Sequence, residues 1–127
     1  MKEIMAIIRM NMVNKTKKAL ATEGFPAFTC TKISGRGKKA MDYTIEEAFL
    51  TENNMPTSVA ETFSEGYRLL PKRLLLVTVP DGAVEKAVTV IIHANQTGSP
   101  GDGKIFVLPV EEAIRVRTGE TGDTAIT

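Results

Sequence analysis

One strand–helix–strand unit is predicted by residues 74–110, which read LLLVTVPDGAVEKAVTVIIHANQTGSPGDGKIFVLPV. Residues 74–79 form an apolar run rich in β-branched side chains, which is typical of a central strand. Asp81 is a candidate N-cap for the helix that follows, and Gly98 is expected to close it. The apolar residues of this helix recur with the helical spacing i, i+4, i+7 and i+8: Val84, Val88, Ile91 and Ile92. Residues 104–110 then predict another strand.

A unit of the same kind precedes this one. Residues 4–8 are a short apolar run that predicts a buried strand. A helix is expected to begin at an Asn14 N-cap and to end at Gly24. Residues 28–33 alternate and are rich in β-branched side chains, which predicts a second strand. Cys30 lies in that strand, and we expect it to be a small core residue.

Two such units in succession predict an α+β fold, a ferredoxin-like double β-α-β sandwich with both helices on one face of four antiparallel strands. The strands are apolar on both faces, so the face without helices is expected to be buried against other subunits. Residues 1–127 form one domain, because this length supports a single core. A short helix is possible at residues 43–50.

The connection between the two units, residues 38–68, is unusually long for a compact domain, and such connections are often functional. It carries three cations and six anions, a net charge of −3, and residues 41–67 contain no Lys or Arg. We expect this acidic segment to dock on a basic or mixed protein surface.

Composition excludes several classes of protein. The chain has 127 residues, a net charge of +1, one Cys and one His, so an internal disulfide and a Cys/His zinc site are both excluded. The near-neutral charge argues against nonspecific binding to nucleic acid. The first apolar run is too short and too close to charged residues to be a signal peptide or to cross a bilayer, so the protein is predicted to be cytoplasmic without stable membrane association.

The strongest chemical signal is residues 97–104, TGSPGDGK, in which three glycines can expose backbone N–H groups to a phosphate and a lysine follows at once. A Walker motif is disfavoured, because Ile105 replaces the Mg²⁺-binding hydroxyl and the loop runs from helix to strand. Arg115 and Arg117 are two apart on a predicted extended segment, residues 114–117. They would therefore share a face and could clamp one polyphosphate.

Other candidates are weaker. Lys72 is expected to precede the central strand, where it could hold a carboxylate or a phosphate. His93 has no ligand or acid partner nearby in sequence and is expected to be structural. No catalytic triad can be assembled. Asp102 is the one candidate base near the loop, on which an alternative function as an ATP-dependent phosphotransferase would depend.

Further motifs accompany the glycine-rich segment: Ala6-Ile7-Ile8, Thr29-x-Thr31, Gly35-x-Gly37, Leu70-Pro71-Lys72, Gln96-Thr97-Gly98-x-x-Gly101-Asp102-Gly103-Lys104-Ile105-Phe106-Val107 and Ile114-Arg115-Val116-Arg117-Thr118-Gly119-Glu120. With these motifs the chain resembles the nitrogen regulatory protein PII family over nearly its whole length. The last two blocks are the most specific. The resemblance implies a trimer that binds ATP or ADP in clefts between subunits, takes 2-oxoglutarate as a co-ligand and uses residues 38–68 to bind a partner.

The resemblance also implies residue roles. Residues 101–104 would hold the phosphates, and Arg115 and Arg117 would reach them from the adjacent subunit. Lys72 would pair with a carboxylate of 2-oxoglutarate. Thr29 and Thr78 would lie near the nucleotide base, and Gly35 and Gly37 would let the backbone approach the nucleotide closely. The candidate ligand-binding residues are Thr29, Gly35, Gly37, Lys38, Lys39, Lys72, Thr78, Gly101, Asp102, Gly103, Lys104, Arg115 and Arg117.

Two departures from the family pattern bear on function. Lys39 stands where the family commonly has a glutamine that helps hold 2-oxoglutarate and Mg²⁺, and a protonated lysine cannot ligate Mg²⁺. The long segment also lacks the family's Tyr-Arg-Gly-x-Glu-Tyr sequence, and it has no cation to insert into an ammonium transporter. The chain is similar to the divergent PII-like proteins of nitrogen-fixation operons, which implies direct binding to nitrogenase, as a homotrimer or with a paralogue. An ammonium transporter or glutamine synthetase is the alternative partner.

Overall fold

The computed structural model describes residues 1–37 and 69–127. The elements are β1 (Lys2–Arg9), α1 (Val13–Thr22), β2 (Thr29–Gly35), β3 (Leu70–Val79), α2 (Val84–Asn95), β4 (Lys104–Pro109) and α3 (Asp123–Ile126). Short 3₁₀ turns precede α1 and α2, at Met10–Met12 and Asp81–Ala83. The possible helix at residues 43–50, like Lys38, Lys39 and the rest of the 38–68 connection, lies outside the described residues.

The four strands form one sheet in the order β2-β3-β1-β4, and every neighbouring pair is antiparallel. This arrangement confirms the ferredoxin-like α+β prediction, and it places residues 74–79 in a central strand. The position expected for Lys72 was wrong, because β3 begins two residues before it. Lys72 lies inside the strand, opposite Ile33 on β2 and Arg9 on β1, since pairing with both neighbours extends β3 through polar residues.

The core lies between the sheet and the two long helices. Alternate residues of β1 and β3 point at the helices and are at most 2% exposed: Ile4, Ala6, Ile8, Leu75, Val77 and Val79. Leu20 of α1 and Ala87 and Ile91 of α2 complete this core. Ile92 is 42% exposed, so it lies outside the buried stripe that its spacing predicted.

A buried polar pair joins the helices inside this core. The Asn95 side-chain amide on α2 donates to the Thr16 hydroxyl on α1 over 2.9 Å and to the Ile91 carbonyl over 2.9 Å. Thr16 in turn donates to the Met12 carbonyl over 2.8 Å. Thr16 is fully buried and Asn95 is 5% exposed, so these bonds are shielded from water and fix how the helices pack.

The helix ends agree with the sequence at one position only. Gly24 follows the C-cap of α1 with a φ of +92°, its N–H donates to Ala21 and the next N–H donates to Leu20, which is a Schellman motif. The predicted Asn14 cap was wrong, because α1 begins before it. Asp81 caps nothing: it lies in the 3₁₀ turn and pairs with the Met1 amine over 2.9 Å. The helix α2 ends at Asn95, three residues before Gly98.

The sheet face without helices, here called the open face, carries an apolar set: Met5, Ile7, Leu74, Leu76, Phe106 and Leu108. Phe106 is 47% and Leu108 is 37% exposed in the single chain. Cys30 lies opposite Leu75 but on the edge strand β2, where it is exposed, so the expectation that it belongs to the core was wrong. None of the helices in residues 1–37 and 69–127 is long and apolar enough to cross a membrane.

Candidate functional site

The glycine-rich segment forms a loop, residues 96–103, between the end of α2 and the start of β4. Gly98, Gly101 and Gly103 all have positive φ, at +82°, +96° and +126°. Gly103 has an additional reason to be glycine, because a Cβ there would lie 2.1 Å from the Ile7 carbonyl oxygen. The loop is therefore pressed against the backbone of β1.

The Asp102 carboxylate holds this loop together from inside. Its Oδ2 accepts from the backbone N–H groups of Thr97 over 2.7 Å and of Gly98 over 3.0 Å, and its Oδ1 accepts from the Thr97 hydroxyl. The guanidinium of Arg9 donates to the same Oδ1 over 2.7 Å. The hydrogen bonds from Thr97, followed by those from Arg9 and Gly98, hold the pKa of Asp102 well below its usual value. The carboxylate is accordingly ionised and structural.

Three cations surround the loop at one end of the open face. Arg9 lies opposite Lys72, and Lys104 lies opposite Ile7, so all three side chains project from the same face of neighbouring strands. Arg9 also donates to the Pro100 carbonyl over 3.2 Å, and Lys72 contacts the Gly101 carbonyl at 3.4 Å. Arg9 was not among the residues predicted to form the site: it lies 93 residues from Asp102 in sequence, and a lone positive charge at the end of the first strand was the only local sign of it.

The structure brings part of the predicted set together. Lys72, Gly101, Asp102, Gly103 and Lys104 are adjacent, and Gly35 pairs with Leu70 at the same end of the sheet. The threonines are not part of this cluster. Thr78 lies six residues beyond Lys72 on β3, about 20 Å along the strand, and Thr29 pairs with Leu76, about 13 Å along it.

The predicted extended segment at residues 114–117 was wrong. Only Ile114 forms an isolated bridge, to Thr121, and the chain then turns: the Gly119 N–H donates to the Arg115 carbonyl over 2.7 Å. The turn arises because Gly119 accepts a φ of +75°. Val116 between the two arginines is 99% exposed.

The two arginines have different surroundings in this turn. Arg115 pairs with Glu120 over 3.0 Å and donates to the carbonyls of Thr124 and Thr127 over 2.8 and 2.9 Å. Arg117 is exposed, and it makes no hydrogen bond or ion pair with the described residues. Within residues 1–37 and 69–127 neither arginine is bonded to the glycine loop, so the pair does not complete a clamp within one chain.

The arrangement is suited to binding an anion. Among the residues that the structure describes, three cationic side chains and one carboxylate lie together beside a loop with three glycines at positive φ, which gives this part of the chain a net positive charge. This excess matches the charge of a polyphosphate or a dicarboxylate. Asp102 is unsuited to be a general base, because its low pKa and its hydrogen bonds keep it from taking a proton.

Comparison with known proteins gives a consistent result. Residues 1–120 match the family model described as nitrogen regulatory protein P-II. The chain is 48% identical over 126 residues to the nitrogen fixation nifHD region GlnB-like protein 2 of Methanothermococcus thermolithotrophicus, covering 99% of this chain and 98% of that protein. It is 41% identical over 128 residues to the protein of the same description from Methanothermobacter marburgensis, covering 99% and 100%.

A solved structure agrees with the fold. The crystal structure of Arabidopsis thaliana PII bound to citrate matches with a TM-score of 0.72 and 28% sequence identity, covering 99% of this chain and 89% of that one.

Proposed function

The chain belongs to the nitrogen regulatory protein P-II family, and from that premise we propose that it is a nitrogen-status sensor whose ligands are ATP or ADP and 2-oxoglutarate. Proteins of this family are signal-transduction regulators and not enzymes, so the alternative of a phosphotransferase falls away. The ligands would act by changing how residues 38–68 bind a partner protein. Such coupling requires them to bind the two states of that segment with different affinity.

The cation cluster around the glycine loop carries the proposal for a nucleotide. Within residues 1–37 and 69–127, Arg9, Lys72 and Lys104 carry three positive charges against the one negative charge of Asp102 at this end of the open face. A triphosphate supplies several negative charges and many acceptor oxygens, which this excess and the backbone N–H groups of the loop would stabilise. In this site Lys104 and the loop at Gly101 and Gly103 would hold the phosphates.

The arginines would come from a neighbouring subunit. The strand β4 carries the chain away from the loop, since Lys104 pairs with Ile7 at one end of β1 and Pro109 pairs with Lys2 at the other. Arg115 and Arg117 come after that far end in the chain. Thr29 and Thr78 are also displaced from Lys72 in that direction. A subunit therefore offers two partial sites, and a second subunit would complete each one. The apolar open face supports such an assembly, because trimer formation would bury it.

Lys72 would bind a carboxylate of 2-oxoglutarate at the end of the sheet where Gly35 pairs with Leu70. Its ammonium lies 3.4 Å from the Gly101 carbonyl, so this second ligand would adjoin the phosphates of the first. Lys39 replaces the glutamine common in the family, so the proposal for this chain relies on charge pairing and requires no Mg²⁺ ligand from that position.

Nitrogenase is the partner we propose, bound through residues 38–68. The relatives from Methanothermococcus and Methanothermobacter are described as GlnB-like proteins of the nitrogen fixation nifHD region, and this description associates those proteins with nitrogen fixation. The net charge of −3 on the segment suits a protein surface with basic groups and gives no cation between residues 41 and 67 for entering a transporter pore.

Isothermal titration of the purified protein with MgATP, followed by 2-oxoglutarate in the presence of ATP, tests the ligands. We expect micromolar ATP binding and then a second heat from 2-oxoglutarate. Absence of ATP binding would refute the nucleotide site. ATP binding without any response to 2-oxoglutarate would refute the second ligand for the homo-oligomer and call for the same titration with a paralogue present.

Deletion of residues 41–65 tests the partner. We expect the deleted protein to keep its oligomeric state and ATP affinity but to lose inhibition of nitrogenase activity in a reconstituted assay. A deleted protein that still inhibits would place the docking surface elsewhere. Co-sedimentation of the intact protein with membranes containing an ammonium transporter, without any effect on nitrogenase, would favour that other partner.

A further inference from the structure

The glycine loop contains a negative charge at a place proposed to receive an anion. Asp102 retains 23% of its side-chain exposure, so its carboxylate is neither remote nor fully shielded from a ligand on the loop. An unpaired carboxylate there would repel a phosphate. The arrangement is consistent with phosphate binding only if something neutralises Asp102 and keeps it turned into the loop.

Arg9 fulfils both conditions. Its Nη1 donates to Asp102 Oδ1 over 2.7 Å and its Nη2 donates to the Pro100 carbonyl over 3.2 Å, so one guanidinium bridges two residues of the loop. The other carboxylate oxygen accepts from the N–H groups of Thr97 and Gly98. Those two N–H groups are consequently engaged inside the loop and do not face a ligand.

The position of Arg9 on the sheet strengthens this interpretation. It lies directly opposite Lys72, and like charges in direct register destabilise a strand pair unless another group offsets them. Asp102 supplies that offset for Arg9, whose side chain is 27% exposed and oriented by two acceptors. Lys104, which projects from the same face of the sheet, then lies beside the shaped loop, where an anion would bind.

We propose that Arg9 is a positioning residue for the nucleotide: it acts through Asp102 to shape residues 100–104 for the phosphates and does not itself bind them. This inference rests on the proposed function. It predicts that Arg9 and Asp102 are coupled, so that removing either one has nearly the same effect as removing both.

A double-mutant cycle on ATP affinity tests the proposal. We expect Arg9→Ala to weaken MgATP binding about tenfold or more, as for loss of a charge-assisted hydrogen bond that shapes a site. Asp102→Asn, which keeps the shape of the side chain but loses the charge, should weaken binding similarly. Arg9→Ala added to Asp102→Asn should cost less than about threefold more, because its partner is already gone. Arg9→Lys should recover part of the loss.

The cycle also separates positioning from direct binding. If Arg9 bound phosphate itself, Asp102→Asn would release it and leave ATP affinity unchanged or higher, and Arg9→Ala would still cost about tenfold in that background. Either result would overturn the proposal. Arg73→Ala is the matched control, because Arg73 lies on the adjacent strand, donates to the Lys72 carbonyl over 3.1 Å and makes no hydrogen bond or ion pair with the glycine loop. We expect it to bind ATP within about twofold of the parent.

A readout without nucleotide distinguishes positioning from general destabilisation. The amide proton resonance of Gly98 reports its hydrogen bond to Asp102, whereas that of Gly24 in the α1 C-cap reports a distant turn. We expect Arg9→Ala and Arg9→Lys to move the Gly98 resonance and leave Gly24 in place. An unmoved Gly98 resonance together with unchanged ATP affinity would overturn the role of Arg9. If the parent protein itself does not bind ATP, the result would instead refute the proposed function.

Discussion

Gly103→Ala should destabilise the protein far more than Gly98→Ala in the same loop. A Cβ at this position would lie 2.1 Å from the Ile7 carbonyl oxygen, and real Cβ contacts essentially never fall below 3.0 Å. The loop and β1 would therefore have to move apart by about 0.9 Å, at the point where Lys104 pairs with Ile7. Because the backbone fixes the position of the Cβ and the Ile7 oxygen is itself a backbone atom, no side-chain rotation can relieve this contact.

The magnitude follows from two costs. A φ of +126° is outside the left-handed region that other residues tolerate, and such strain costs about 1–3 kcal/mol. Separating the loop from β1 weakens the adjacent strand pairing, at about 1 kcal/mol for each hydrogen bond disturbed. We therefore expect a loss of about 3–4 kcal/mol. For a chain of this size that is a fall in Tm of about 10–15 °C.

Thermal unfolding followed by circular dichroism measures this loss, at one protomer concentration for all variants because any oligomer shifts the midpoint. Gly98→Ala is the matched control: its φ of +82° is also positive, but nothing lies within 4 Å of the added Cβ. We expect it to cost about 1–2 kcal/mol, from backbone strain alone. Equal melting points for the two variants would refute the argument that close packing on β1 requires Gly103.

Three further outcomes follow from described contacts. Thr16→Val should lower the free energy of unfolding by about 1–2 kcal/mol in urea titration, because its hydroxyl is buried and bonded twice, whereas Thr22→Val, whose exposed hydroxyl also bonds four residues back, should cost less than about 0.5 kcal/mol. Arg115→Ala should lower both thermal stability and ATP affinity, but Arg117→Ala only ATP affinity, because only Arg115 braces the C-terminal turn; equal melting points would contradict this. The depressed pKa of Asp102 implies a contribution to stability that is fully present above about pH 4 and is lost as the pH falls towards the pKa of the folded state. Below about pH 4 the free energy of unfolding should therefore fall more steeply with decreasing pH in the parent than in Asp102→Asn.

The fold could be predicted because its signals are local. The apolar run at residues 74–79 and the helical spacing that follows it specify a strand and a helix wherever they occur. Gly24 could be identified as the end of α1 because a Schellman motif needs a positive φ. The first residue of β3 could not be predicted in this way. Lys72 is in the strand only because Arg9 and Ile33 pair with it, and this register is a property of the whole sheet.

The candidate site could be predicted only in part. The glycines and Lys104 are consecutive, so their pattern is visible in sequence. The bond between Arg9 and Asp102 joins residues 93 apart and has no local pattern. The turn at Arg115 was predictable in principle, because Thr118 and Gly119 are typical turn residues, but the alternation from Ile114 to Arg117 resembles that of a strand.

The strand order has a consequence for how the protein is made. Strand β1 is synthesised before the other strands, yet its neighbours in the sheet are β3 and β4. Lys2, for example, pairs with Val79 of β3 and with Pro109 of β4. Strand β2 is no neighbour of β1, so a nascent chain that ends before residue 70 has no pair of strands from this sheet to join. The sheet therefore cannot begin to form before β3 has been synthesised, and until then the apolar residues of β1 have no neighbouring strand of this sheet to cover them.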